Sequence, residues 1–174
     1  MFLVLSFLIY SRQRPETVNY FNMKNCRLIL TIAILLLTLN TNAQTAEDSV
    51  KAAVNQLFTG MKTSDADLVR TAFADSAVLQ TIARNKEGKI IVRDESVSDF
   101  AGTVAKLPKG AADERIEFAV VKIDGPLASV WTPYKFYFNG QFSHCGANSF
   151  QLVRGEKGWK IQYLIDTRRK QGCE

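Results

Sequence analysis

The chain has 174 residues, a length suited to one domain, and its 47% apolar content with only 10 Gly and 4 Pro excludes disorder and collagen-like repeats. The formal net charge of +5 is concentrated near the start, where Arg12, Arg14, Lys24 and Arg27 outnumber Glu16, so residues 44–174 carry only +2. That balance gives no electrostatic case for a nucleic-acid partner or for a membrane surface.

Residues 1–43 read as a leader. From Met23, Lys24 and Arg27 form a positive start, Leu28 to Leu39 is an uncharged apolar run, and Thr41-Asn42-Ala43 supplies the small residues a signal peptidase needs. Cleavage is expected between Ala43 and Gln44. A run of 12 residues is shorter than the roughly 20 required to span a bilayer. No membrane anchor is therefore expected after cleavage, and the mature chain, 44–174, should be periplasmic or secreted. A second apolar stretch, Phe2 to Tyr10, precedes this complete signal, so Met23 is the expected start of translation. Removing the leader takes Cys26 with it and leaves Cys145 and Cys173, an even pair in an oxidising compartment and hence a disulfide candidate.

The mature part opens with Val50, Val54, Leu57, Phe58 and Met61 at helical spacing behind Thr45, which predicts a first amphipathic helix over 46–62. Ser64 is placed to cap a short second helix over 65–73, which Asp75-Ser76 should end. Residues 77–83 and 89–93 flank Asn85-Lys86-Glu87-Gly88 and read as a hairpin. Ser96 can cap a third helix carrying Val97, Phe100, Val104 and Leu107 along one face before Pro108. Beyond Gly110 four strands are expected, over 114–123, 127–138, 143–154 and 158–168, separated by turn sequences and forming an antiparallel meander. Pro133 removes a ladder donor within the second of these, so a bulge or bend is expected there.

The runs Trp131-Thr132-Pro133-Tyr134-Lys135-Phe136-Tyr137 and Gly158-Trp159-Lys160-Ile161, with Phe142-Ser143-His144-Cys145-Gly146 and Ile165-Asp166-Thr167-Arg168-Arg169, resemble an exported branch of the nuclear transport factor 2-like, or cystatin-like, superfamily. That branch includes SnoaL-like and lumazine-binding groups, and the resemblance covers residues 45–169. It implies an α+β fold in which three helices pack in the concave face of a strongly curved antiparallel sheet. The resulting cone would hold a small molecule, an active site or a partner at its open end. A fold alone does not choose between these.

A register places candidate residues. If Arg154 pairs with Trp159, then Leu152 faces Ile161, Phe150 faces Tyr163, Asn148 faces Ile165, Gly146 faces Thr167 and His144 faces Arg169, all on one side. On this reading His144, Asn148, Phe150, Tyr163 and Arg169, with Tyr134, line a pocket that is apolar near the turn and polar at the far end. Gly146 would leave a gap for a ligand edge. Asn148 is the most informative, because an amide in an apolar stripe must find partners. Asp75, Asp166, Tyr134 and His144 are the candidates for acid or base work, with Asp166 on the opposite face beside Arg168, where an ion pair is the expected role. One histidine and two thiols cannot make the usual zinc sets, and no phosphate-cradling glycine motif or Gly-x-Ser-x-Gly elbow occurs, so neither metal nor cofactor is expected. The expected function is the binding of a small apolar or amphipathic molecule. An isomerase, dehydratase or cyclase and a dimerising interaction module are the alternatives, with a homodimer as a possible assembly.

Overall fold

The computed structural model describes residues 46–173. The leader, the start at Met23, the cleavage point and the Thr45 cap lie outside the described residues. Helix α1 covers 46–63, and Val50, Val54 and Leu57 on its inner stripe are at most 1% exposed. Burying each contributes roughly 1.5–3 kcal/mol, more than the few tenths by which a β-branched residue disfavours helix, so packing decides this element.

At the end of α1, Ser64 adopts φ +58 while Ser64 N–H donates to the Met61 carbonyl and Asp65 N–H to that of Gly60. This is a Schellman stop, so Ser64 closes α1 instead of capping the next helix. The cap of α2 (Ala66–Ala72) is Asp65, whose carboxylate accepts from the backbone of Asp67 and Leu68. Asp serves as well as Ser at an N-cap, and the left-handed Ser64 backbone rules Ser64 out. Gly60 lies where a Cβ would meet Val69 at 2.8 Å, which lets α1 and α2 approach closely.

Strand β1 (Phe73–Arg84) follows without a loop, and the expected Asp75-Ser76 break appears as an irregularity in its pairing between Phe73 and Val78. It forms a hairpin with β2 (Ile90–Glu95). Helix α3 (Val97–Ala105) starts at Ser96, whose hydroxyl accepts from Asp99 N–H, as the sequence indicates. The expected strand over 114–123 is divided into β3 (Ala112–Ile116) and β4 (Val120–Asp124), both antiparallel to β5 (Leu127–Phe138). Pro133 lies opposite this division and its carbonyl accepts from Glu117 N–H. The disruption thus falls on the neighbouring strand, while β5 passes Pro133 in register with Ala147 and shifts only between Phe136 and Tyr137.

Strands β6 (Gln141–Gly155) and β7 (Gly158–Thr167) complete a seven-stranded sheet in the order β2-β1-β7-β6-β5-β3, with β4 also on β5. The β5–β6 turn places Asn139 and Gly140 at φ +50 and +78, as a type I′ turn requires. The sheet is antiparallel except that β1 runs parallel to β7. The core fills the concave side, where Phe58 of α1 meets Phe150 edge-on at 6.2 Å between ring centres.

The largest correction concerns the β6–β7 register. Arg154 pairs with Trp159 and Leu152 with Ile161 as expected, but the next pair is Gln151 with Tyr163, so Gln162 is an extra residue in β7. Beyond it Phe150 faces Leu164 and Asn148 faces Asp166. One inserted residue in a period-2 strand reverses the face of everything after it. Tyr163 therefore leaves the concave face and Asp166 joins it.

Candidate inner pocket

Four neighbouring strands, β3, β5, β6 and β7, supply the wall. Thr132, Tyr134 and Phe136 alternate along β5 and stand opposite Asn148, Gly146 and His144 of β6. Glu114 of β3 pairs with Phe136, and Asp166 of β7 pairs with Asn148, so two carboxyls flank the same stripe. Met61 of α1 and Phe100 of α3 close it from the helix side. Two adjoining lobes, ≈ 50 Å³ and ≈ 110 Å³, both touch Met61, Phe100, Glu114, Asp166 and Arg168. This is small beside the several hundred Å³ of a drug-sized site, so it suits a compact ligand or one ring of a larger one.

The polar groups are cross-linked. Asn148, 4% exposed, donates from Nδ2 to Glu114 Oε1 at 2.8 Å and to Thr132 Oγ1 at 3.3 Å. Tyr134 Oη lies 2.9 Å from the Thr167 carbonyl and 3.2 Å from Asp166 Oδ2. Arg168, half-exposed at the rim, donates to the same Asp166 oxygen at 2.9 Å and to Thr81 Oγ1 at 3.2 Å. Burial, reinforced by the charge of Asp166 and opposed by the Asn148 hydrogen bond, raises Glu114 to about 7. Burial and the nearby Asp166 and Glu114 also raise Tyr134, which remains a protonated donor. Burial and then the Arg168 charge lower His144, leaving it neutral at pH 7. At that pH the pocket therefore combines an acid near half-ionisation, a phenol donor, a neutral imidazole and an amide.

Tyr134 and His144 line one lobe and Asn148 the adjoining one. His144 packs on Phe136 at 4.9 Å and Tyr134 at 5.8 Å between ring centres, and Ser143 Oγ is 3.1 Å from its Nδ1. Phe150 lies deeper, in the core against Phe58. Tyr163 is on the outer face, its hydroxyl donating to Gln80 Oε1 at 2.7 Å. Arg169 pairs with Cys145 and turns to the Gly172 carbonyl, outside the inner pocket. The gap expected at Gly146 is filled by Tyr134, whose ring a Cβ there would meet at 2.7 Å. The Asp166–Arg168 ion pair is present, but on the concave side. Asp75 lines neither lobe of the pocket. Glu114 was not singled out from the sequence. The division between β3 and β4 hides it, because the pairing with β5 slips by one residue there and brings Glu114 opposite Phe136 instead of Tyr137.

Larger depressions occur elsewhere. An outer notch of ≈ 230 Å³ lies beside Arg115, Lys135, Arg169 and the Cys145–Cys173 disulfide, and a rim cleft of ≈ 270 Å³ touches Arg93, Asp94, Glu95 and Arg168. The notch also touches Tyr134, Ile116 and Pro133, but neither depression has a buried carboxyl or amide in its lining as the inner pocket does, and that combination with an apolar wall, more than volume, marks small-molecule sites.

Residues 45–162 match the profile of a family described as putative lumazine-binding. Among solved structures, a protein of unknown function from Shewanella baltica, described as NTF2-like, is 14% identical with a TM-score of 0.58, the match covering 71% of this chain and 94% of that one. A domain of unknown function with a cystatin-like fold from Nostoc punctiforme is 17% identical at TM-score 0.58, covering 74% and 80%. An NTF2-like protein with a cystatin-like fold from Novosphingobium aromaticivorans is 11% identical at TM-score 0.58, covering 78% and 90%. No curated protein matches the chain. At these identities the structures speak for the fold, and the profile speaks for the family. With a profile matching most of residues 46–173, the chain belongs to the putative lumazine-binding family, and its curved sheet around three helices is the NTF2-like, cystatin-like fold of those structures.

Proposed function

We propose that the mature chain, from about Gln44, is an exported domain that holds a small molecule in the inner pocket, with Glu114, Asn148, Tyr134, His144 and Asp166 orienting it. The observation that carries this reading is Asn148. Its Nδ2 serves Glu114 and Thr132, whereas its Oδ1 accepts no hydrogen bond from the described residues, although the residue is 4% exposed. A ligand donor there would complete the amide. The family description makes lumazine the first compound to titrate. A homodimer would use the outer sheet face, where Val120, Leu127, Trp131 and Val153 are exposed, and the pocket does not depend on it because one chain supplies every lining residue.

The test is Asn148→Leu, assayed against lumazine and against any compound the protein retains when purified from its own host. The loss of one neutral hydrogen bond is worth roughly 0.5–1.5 kcal/mol, so affinity should fall by a few-fold to about tenfold with the circular dichroism spectrum unchanged. Unaltered affinity would overturn the assignment of the pocket. A second reading, proton transfer of the isomerase or dehydratase type, is favoured by Glu114, whose value of about 7 suits a general base near neutral pH beside the Tyr134 donor. Conversion of the retained compound by wild type, abolished in Glu114→Gln, would select it.

Export is supported by the bond between Cys145 and Cys173, whose Cα atoms are 5.7 Å apart, since such bonds persist in oxidising compartments. Protein isolated from its host should resist alkylation at both positions until it is reduced. Free alkylation without reductant would remove this support.

A further inference from the structure

The unused hydrogen-bonding capacity of the inner pocket is divided by position, with free donors mostly at the Arg168 rim and free acceptors on the inner wall. Asn148 Nδ2 is committed to Glu114 and Thr132, Tyr134 Oη to Asp166 and Thr167, and Arg168 Nε and Nη2 to Asp166 and Thr81. What remains as donors are the two Nη1 hydrogens and the second Nη2 hydrogen of Arg168, at the half-exposed rim, and at most one ring N–H of the neutral His144. Against these stand Asn148 Oδ1, Glu114 Oε2 and Asp166 Oδ1, none of which accepts a hydrogen bond from the described residues. None of the three is sealed from the cavity either, since the only fully buried side-chain polar atom without a partner among the described residues is Ser64 Oγ. Three carboxyl groups, Glu95, Glu114 and Asp166, line the lobes against one guanidinium, that of Arg168. The helix side is apolar, with Phe58, Met61 and Phe100.

Resting on the reading of this pocket as the binding site, we infer that its ligand class is a compact molecule with an apolar body and a cationic, hydrogen-bond-donating head, such as a primary ammonium or an amidinium. The head would lie between Asn148 Oδ1, Glu114 and Asp166, and the body against Met61 and Phe100. An anionic head meets the reverse situation, because it would desolvate beside the carboxyls of Asp166 and, once ionised above its value of about 7, Glu114, while the free hydrogens of Arg168 lie at the rim. Charge of this kind acts on selectivity as much as on affinity, since a like-charge juxtaposition excludes the wrong class.

Three probes of nearly equal size separate the possibilities: benzylammonium, benzyl alcohol and benzoate, titrated at pH 8 into the mature, disulfide-bonded protein and followed by NMR at the Met61 methyl and the Phe100 amide. Benzylammonium is expected to bind about tenfold more tightly than benzyl alcohol, with benzoate weakest, and Glu114→Gln should remove most of the advantage of the ammonium over the alcohol. Benzoate binding as tightly as benzylammonium, or an ammonium preference unchanged in Glu114→Gln, would overturn the cationic class while leaving the pocket as the binding site. Absence of any shift at Met61 and Phe100 with all three probes would overturn both the class and the pocket.

Discussion

Gly146→Ala is expected to lower stability by roughly 4 kcal/mol or more, enough to unfold much of the protein at 37 °C. An added Cβ would stand 1.8 Å from the Thr167 carbonyl oxygen and 2.7 Å from the Tyr134 ring. The oxygen belongs to backbone that also accepts the Tyr134 hydroxyl, so neither obstacle can turn aside without breaking the other contact. Overpacking of side chains alone typically costs 1–3 kcal/mol, and a backbone clash adds to it. Gly102→Ala is the control. A Cβ there meets nothing within 4 Å, and in the middle of α3 Ala should raise stability by roughly 0.5–1 kcal/mol. Denaturant unfolding of both variants reads the contrast, and a Gly146→Ala protein as stable as wild type would mean that Tyr134 does not occupy this position.

Glu114→Gln should stabilise the protein at pH 8 and leave it nearly unchanged at pH 5. Glu114 is raised from 4.5 to about 7 by burial, so between those values the folded state binds more protons than the unfolded chain. Stability from this group is therefore intact below about 4.5, declines as pH rises, and is fully lost above about 7. At 1.36 kcal/mol per unit the loss amounts to about 3 kcal/mol. Glutamine keeps an oxygen for Asn148 Nδ2 and carries no charge at any pH, so it escapes the loss. Thermal unfolding should show a melting temperature on the order of 5–10 °C above wild type at pH 8, with the difference closing toward pH 5. A constant offset across this range would show that Glu114 is not held in the desolvated position described.

How far the sequence revealed these features depended on whether a single period governed the segment. The stripe Val50, Val54, Leu57, Phe58 and Met61 repeats without interruption and gave α1, and Ser96 ahead of Asp99 located α3. The β5–β6 hairpin was legible from Asn139-Gly140, but not its register, because the shift between Phe136 and Tyr137 puts Phe136 opposite His144 and Tyr134 opposite Gly146, where the turn alone would pair them with Ser143 and Cys145. The site was half legible for the opposite reason. Strand β7 carries an extra residue at Gln162, and the pattern Trp159, Ile161, Leu164, Asp166 shows it only when the burial of Leu164 is preferred over that of Tyr163. A hydroxyl satisfied by Gln80 at the surface makes Tyr163 the better outward residue. Glu114 was obscured by distance, since its contact with Asn148 joins residues 34 apart across a curved sheet, and charge alone gives no sign of burial.

The most direct test of the inner pocket is a crystal structure of the mature protein with the molecule that native mass spectrometry finds retained from its own host. The ligand should lie between Met61 and Phe100 on one side and Glu114, Asn148 and Asp166 on the other, with a donor within hydrogen-bonding reach of Asn148 Oδ1. A ligand seated instead in the outer notch beside Arg115, Lys135 and Arg169, with Asn148 unchanged, would contradict the account.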